Sequence, residues 1–198
     1  MRILVVGASG VLGRAVVAAL APHEVIEASR KGAHKVDLRE PASIAALYAE
    51  IGELDAVVCT AGVTPYKPFA DLGIADYRSG LEDKLLGQID LVGQGVAHVR
   101  PGGSFTLVSG VLAAEPIETG TVASTVNGAV EAFVRAAATG LPHGRRINAV
   151  SATAFTETWD AYAEYFPGFV PVPAGDAALA YVRSVSGVQT GRVYRVGY

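Results

Sequence analysis

The chain has 198 residues, 16 of them basic and 19 acidic, for a formal net charge of −3; 51% are hydrophobic and 18% charged. This is the length of about one domain with a self-sufficient core, too apolar for disorder and without the basic excess that nucleic-acid binding needs. One cysteine and four histidines leave neither a disulfide framework nor a metal-ligand cluster. The 23 glycines point to tight turns and close backbone approach. The opening apolar run, residues 3 to 6, is too short for a signal-peptide core or a membrane span. A cytoplasmic protein is expected, with no membrane and no nucleic-acid partner.

Residues 3 to 6, ILVV, read as a strand buried on both faces. A glycine turn and a helix closed by Pro22 follow. EVIEAS (24 to 29) reads as a second strand and KVDL (35 to 38) as a short extended piece. Pro41 opens a helix at the first-turn position proline prefers. LDAVVCTAG is strand then turn, and residues 71 to 99 read as largely helical. SFTLVSG is a strand, residues 121 to 139 a helix, RRINAVS a strand. TETWDAYAEYF reads as a short helix, GDAALAYVRSV as a longer one, and GRVYRVG as a last strand. This alternation predicts a single-domain α/β fold over 1–198, a doubly wound parallel Rossmann-like sheet. Only Lys31 to His34 joins the second strand to KVDL. A parallel crossover needs about a dozen residues, so KVDL is expected to be a stub.

The turn Gly7-Ala8-Ser9-Gly10-Val11-Leu12-Gly13 lies between strand and helix, where a dinucleotide fold holds its pyrophosphate. Gly7 allows the sharp turn, Gly10 lets backbone approach phosphate, and Gly13 lets helix pack on strand. The helix start offers free N–H donors. The other reading is a tight turn that only packs helix on sheet. At the end of the second strand, NAD-preferring folds carry an acid for the ribose. Here Ser29-Arg30-Lys31 suits a 2′-phosphate, so NADP(H) is the expected cofactor. The alternative leaves Arg30 and Lys31 as solvated turn residues and the cofactor unselective. Glu27, placed by strand alternation on the same face as Ser29, is the residue that could upset the choice.

These motifs, in order along essentially the whole chain, resemble the short-chain dehydrogenase/reductase superfamily. GASGVLG resembles its glycine turn. Asp37 and Leu38, in Val36-Asp37-Leu38, resemble the segment that holds the adenine. Ala61 and Gly62 keep the last two residues of its Asn-Asn-Ala-Gly motif, the first two being Cys59-Thr60. GSFTLVSG resembles the strand that ends at the catalytic serine, and Arg146 to Ser151 resembles RVNAVS. The resemblance implies hydride transfer with a serine, a Tyr-x-x-x-Lys pair and an asparagine, the tyrosine serving as general acid.

The departures from that pattern are systematic. The tyrosine position is Ala123, the lysine position Asn127, the serine position Gly110 with Ser109 one residue before, and the asparagine position Lys84. The family's Pro-Gly after RVNAVS is Ala152-Thr153. The usual acid mechanism therefore cannot be carried over. Lys84, expected to face the nicotinamide, is the leading replacement acid, against a structural or ribose-binding role. Tyr66 on an overhanging loop is a second candidate, against simple lid packing. Ser109, Thr119 and Thr121 are placed to orient a carbonyl. Trp159, Tyr162, Tyr165 and Phe166 form an aromatic run on a small substrate lid around 153–172 and suit a flat or apolar substrate, against simple core packing.

Two readings follow. One is an NADP(H)-dependent oxidoreductase acting on a small carbonyl or activated double bond. The other is a catalytically silent NADP(H)-binding sensor or partner protein. The long helical segments 81 to 99 and 122 to 138 lead us to expect a homodimer or homotetramer.

Overall fold

The computed structural model describes residues 1–198. Seven strands form one sheet: β1 (Arg2–Val6), β2 (Glu24–Ser29), β3 (His34–Lys35), β4 (Leu54–Cys59), β5 (Val99–Val108), β6 (Arg146–Ala152) and β7 (Val193–Val196). Their spatial order is β3-β2-β1-β4-β5-β6-β7, and every pairing is parallel. The chain winds outward from β1 in both directions, so the C-terminal ends of β1 and β4 flank the point where the winding reverses. Ligands bind at that crevice in doubly wound sheets.

Helices cover both faces. On one lie α2 (Pro41–Ile51), α4 (Gly87–Gly95) and α5 (Thr121–Ala137); on the other lie α1 (Val11–Ala19) and α7 (Ala174–Ser186). Each face has its own core. Leu4, Val57, Phe105 and Ile147 pack under the first set; Ile3, Val5, Val58 and Val150 pack under the second. Successive strand residues point to opposite faces, and with both faces covered residues 3–6 of β1 and 56–59 of β4 are apolar on both sides.

Two details tie the sheet together. In the middle of β6, Asn148 is fully buried and fully bonded. Its Nδ2 donates to Ser184 Oγ (3.0 Å) and the Gln189 carbonyl (2.9 Å), and its Oδ1 accepts from the Arg192 N–H (3.0 Å). This fixes α7 and β7 against β6, and satisfied buried amides of this kind set register. Between β2 and β3 no helix intervenes. The link turns back so tightly that only Ala28↔His34 and Ser29↔Lys35 pair; a stub forms, as the short connection predicts, but it lies at His34–Lys35 and leaves Val36, Asp37 and Leu38 outside the strand.

Two elements differ from expectation. β5 begins at Val99 rather than at Ser104, because Pro101-Gly102-Gly103 is absorbed as a bulge. The pairing jumps from Leu54↔Val99 to Ala56↔Ser104, and bulges take up extra residues in this way. The helical stretch starting at residue 71 is also not uniform. A one-turn 3₁₀ segment, Phe69–Asp71, precedes α3 (Ile74–Gly80), and a π-helical turn, Leu81–Leu86, separates α3 from α4.

Candidate functional site

The site is built at the C-terminal ends of β1, β2 and β4. After β1 the chain passes through Gly7 (φ +87°), where a Cβ would stand 2.8 Å from the Ala61 nitrogen and from Thr60 Oγ1. Gly10 is the N-cap of α1 and supplies no side-chain cap, and the first turn carries no acid. The N–H groups of Val11, Leu12 and Gly13 therefore have no partner in the protein: the first bond into the helix is Arg14 N–H to the Gly10 carbonyl (2.9 Å). Arg14 also donates through Nη1 to the Ser9 carbonyl, bracing the loop. Uncapped donors at a helix start attract anions.

A cavity of about 440 Å³ opens beside this turn. Gly7, Ser9, Gly10, Ser29, Arg30, Asp37, Leu38, Ala61 and Gly62 line it, together with Lys31 and Asp83. Val11, Leu12 and Gly13 do not line it. Leu12 and Gly13 are buried beneath it, and a Cβ on Gly13 would meet the Gly7 carbonyl oxygen at 2.1 Å. Gly13 therefore sets the approach of α1 to β1. Gly10 faces the space, where a Cβ would meet only that same oxygen, at 3.4 Å.

Glu27 is not in this cavity. It lines a separate hollow with Glu24, Val25 and His34, touching the first only through the shared residues Ser9 and Ser29. Alternation does put Glu27 and Ser29 on one face. Two residues back along a strand is about 6–7 Å further from the strand end, so the acid lies short of the crevice that the hydroxyl reaches.

At the far wall Asp37 uses Oδ1 to accept from the Arg39 N–H (3.0 Å), and Ser43 Oγ accepts from the Asp37 N–H (3.0 Å). Asp83 joins two loops over the same wall. Its Oδ1 accepts from the Val63 N–H (3.0 Å), and its Oδ2 from Arg39 Nε (3.1 Å).

Lys84 is buried, 9% exposed. Its stem passes directly beneath Gly62, where a Cβ would stand 2.5 Å from Lys84 Cγ. Its Nζ donates to the Ser109 carbonyl (3.1 Å). Burial pulls the ammonium down to about 8 from its ordinary 10.5, against smaller upward contributions from Cys59 and Asp83. The π-turn brings Lys84 inward. The Gln88 side chain donates through Nε2 to the Lys84 carbonyl (3.0 Å) and to the Val108 carbonyl (3.0 Å), while its Oε1 accepts from the Val108 N–H (2.9 Å). One buried amide thus ties the helix to the end of β5.

Ser109 sits between two charges. Its carbonyl takes the Lys84 ammonium, and its hydroxyl donates to Glu131 Oε1 at 2.9 Å, with the Asn127 carbonyl at 3.3 Å. Glu131, on α5, is 8% exposed. Sequence reading missed Glu131 and Gln88. Both belong to helices whose apolar periodicity marks them only as lying on the inner face, and that was the one signal available. The hydroxyl of Ser109 is thus committed to the protein. Asn127 is the reverse case: buried, with Oδ1 unpartnered and Nδ2 against Gly110, where a Cβ would meet it at 3.0 Å.

Tyr66 does not join this group. Its ring lies 6.5 Å from those of both Tyr162 and Tyr165, and burial pushes its phenol up. Tyr162 ends α6 (Trp159–Tyr162), a single turn flanked by 3₁₀ segments Thr156–Thr158 and Ala163–Tyr165 where the sequence predicts one short helix. Phe166 belongs to a small apolar cluster with Val111, Leu112 and Ala123, against which Trp159, Phe169 and Tyr198 pack.

The family profile described as "Enoyl-(Acyl carrier protein) reductase" matches residues 10–181. The chain belongs to the short-chain dehydrogenase/reductase superfamily. Among solved structures, protein lin1944 from Listeria innocua is 41% identical over 98% of each chain, with a TM-score of 0.97. A small-chain dehydrogenase is 25% identical over 99% of this chain and 95% of its own, TM-score 0.85. A small-chain dehydrogenase in complex with NADPH is 24% identical over 99% and 96%, TM-score 0.86, and shares the fold. No curated protein matches the sequence. No helix is long and apolar enough to cross a membrane.

Proposed function

We propose that this protein is an NADP(H)-binding oxidoreductase of the short-chain superfamily, acting on a small carbonyl or activated double bond through a rebuilt site. The observation that carries the cofactor choice is the wall of the crevice: Ser29, Arg30 and Lys31 line it and Glu27 does not. Two cations and a hydroxyl suit a phosphate where a ribose hydroxyl would call for an acid. The free N–H groups of Val11, Leu12 and Gly13 fit a pyrophosphate, and Asp37 with Leu38 fits an adenine edge. The relative solved with NADPH supports the same reading. When bound, the nicotinamide supplies or accepts a hydride.

The residues left to the chain do the rest. Gly62 lets the backbone pass over Lys84. Lys84 Nζ, with its pKa lowered by burial to about 8, is the chain's candidate proton donor at this site. Ser109 fixes that ammonium through its carbonyl. Residues 153–172 form the small substrate lid, and Tyr66 meets it through Tyr162 and Tyr165. Titration calorimetry tests the cofactor choice. NADPH is expected to bind at least about tenfold tighter than NADH, roughly 1.4 kcal/mol, with Arg30→Ala erasing most of the gap. Equal affinities in the parent protein would sink the assignment.

A second reading has its own support. The Ser109 hydroxyl is committed to Glu131, and Ala123, at the position that the resemblance gives to the family's acid, lies in a buried apolar cluster with Phe166. A silent NADP(H)-binding sensor or partner protein fits both facts. Saturable NADPH binding without NADPH consumption across carbonyls, quinones and enones would select it.

Assembly belongs to the same proposal. A Cβ on Gly93 of α4 or Gly128 of α5 would meet nothing, and Leu86 just before α4 is 52% exposed. We place a homodimer or homotetramer contact on these two helices. Light scattering at micromolar concentration should give a multiple of the 20.4 kDa chain mass, and Gly128→Arg should return the monomer; a parent protein already monomeric rejects the contact.

A further inference from the structure

The crevice wall carries one group that an anionic ligand does not call for. Of its four charged lining residues, Arg30 and Lys31 are cations and Asp37 and Asp83 are carboxylates. Asp37 belongs to the segment that fits an adenine edge. Asp83 reaches the wall from another element, the π-turn Leu81–Leu86, with its side chain 17% exposed. A carboxylate facing phosphates repels them unless a counter-charge offsets it.

Two contacts show what Asp83 does there. Its Oδ1 accepts from the Val63 N–H (3.0 Å) and its Oδ2 from Arg39 Nε (3.1 Å). Val63 lies in the irregular segment after β4, and Arg39 in the one after β3. The Val63 side chain is 64% exposed, so packing does not anchor that segment. Gly87, the first residue of α4, backs the other one: a Cβ on it would stand 2.7 Å from both the Cβ and the carbonyl oxygen of Leu38. The same helical rod therefore fixes Leu38 by contact and Val63 by a carboxylate. The space between Leu38 and Gly62, both lining the crevice, takes its width from these two ties. Arg39 stands apart from that space. It uses only Nε on Asp83, its side chain is 51% exposed, and it does not line the crevice.

We infer that Asp83 is a positioning residue for the adenine half of the cofactor. It holds the segments after β3 and β4 at the spacing a planar ring enters, and Arg39 neutralises it without touching the cofactor. This rests on the NADP(H) reading above. A sign follows from it: an Asp83 stripped of its partner opposes an anionic ligand more than an absent Asp83 does, because breaking a pair leaves a bare charge behind.

The test is a double-mutant cycle read by calorimetric titration of the full chain with NADPH, and again with adenosine 2′,5′-bisphosphate, which carries only the adenosine half. Arg39→Gln should weaken both ligands by about tenfold or more, most strongly at low salt. Asp83→Asn keeps an acceptor for the Val63 N–H and should weaken them by only about threefold. Arg39→Gln/Asp83→Asn should recover most of what Arg39→Gln alone loses, the non-additivity of an interacting pair. A merely structural tie gives a double variant as weak as the weaker single one. If Arg39→Gln lowers the melting temperature, amide exchange in the parent decides: Val63 N–H should be protected, and more so with the bisphosphate bound. The inference is overturned by a double variant no better than Arg39→Gln, which would mean that Arg39 touches the cofactor itself. An Arg39→Gln that binds both ligands normally, or a Val63 amide in free exchange, also overturns it. A parent that binds no NADPH overturns the cofactor reading and this inference with it; a parent that binds NADPH while the cycle fails overturns this inference alone.

Discussion

Gly13→Ala is expected to prevent the chain from reaching its native fold, whereas Gly10→Ala should leave the fold intact and remove dinucleotide binding. The two glycines are three residues apart in one turn and face opposite constraints. A Cβ at 13 would lie 2.1 Å from the Gly7 carbonyl oxygen and 2.8 Å from Ala8 Cα. Both are backbone atoms, at the point where α1 leaves β1, so relief requires moving the helix off the sheet. Overpacking of a core costs typically 1–3 kcal/mol and more when backbone must move. Here it also displaces Leu12 and Val16 from the α1 core, against a total stability of about 5–15 kcal/mol. A Cβ at 10 meets one oxygen at ordinary contact distance, but it projects into the crevice where a phosphate would approach. Circular dichroism melting and NADPH titration of both variants separate the effects. A folded Gly13→Ala with native melting temperature would refute the packing role; undiminished NADPH binding by Gly10→Ala would refute the phosphate role.

Lys84→Met should change how stability depends on pH. In the folded protein burial lowers the lysine to about 8, while the unfolded chain holds its proton to about 10.5. Between those values the unfolded state binds more protons, so stability rises with pH. Below pH 8 both states are charged and the full cost of the buried ammonium is present. The parent should therefore gain up to about 3 kcal/mol on Lys84→Met between pH 8 and 10.5. The comparison has to be a difference between proteins. Cys59, pushed by burial to about 12 from 9.0, has the opposite sign above pH 9. Urea melts across this range measure it, and a flat difference would mean the ammonium is solvated. If Lys84 also serves the cofactor, Lys84→Ala should weaken NADPH binding or turnover by about tenfold to a hundredfold. Unchanged binding and turnover would leave Lys84 a structural residue.

The parts of this molecule that follow periodic rules were legible from residues alone. The buried run ILVV, the glycine turn and the Pro41 helix start each have a local cause, and so does the stub after Ser29. The polar interior was not legible. Glu131 and Gln88 look like ordinary helix residues until Ser109 and Val108 arrive from a strand about twenty residues away. Lys84 was identified by family position, yet its contact with the Ser109 carbonyl depends on a π-turn that no residue in Leu81–Leu86 announces. Glu27 shows the limit of alternation: it gives the face and leaves the depth along the strand undetermined.

The wide turn at Leu81–Leu86 separates two tasks within one continuous helical rod. An α-helix advances roughly 100° per residue, so one residue gained or lost rotates everything on one side of it by more than a quarter turn. α3, on the lid side, presents Asp76 to Lys67; α4, on the sheet side, is clamped to β5 by Gln88. An insertion or deletion within 81–86 would re-aim the first half while the clamp holds the second. The lid side could then change shape across generations of sequence without asking the sheet to re-register.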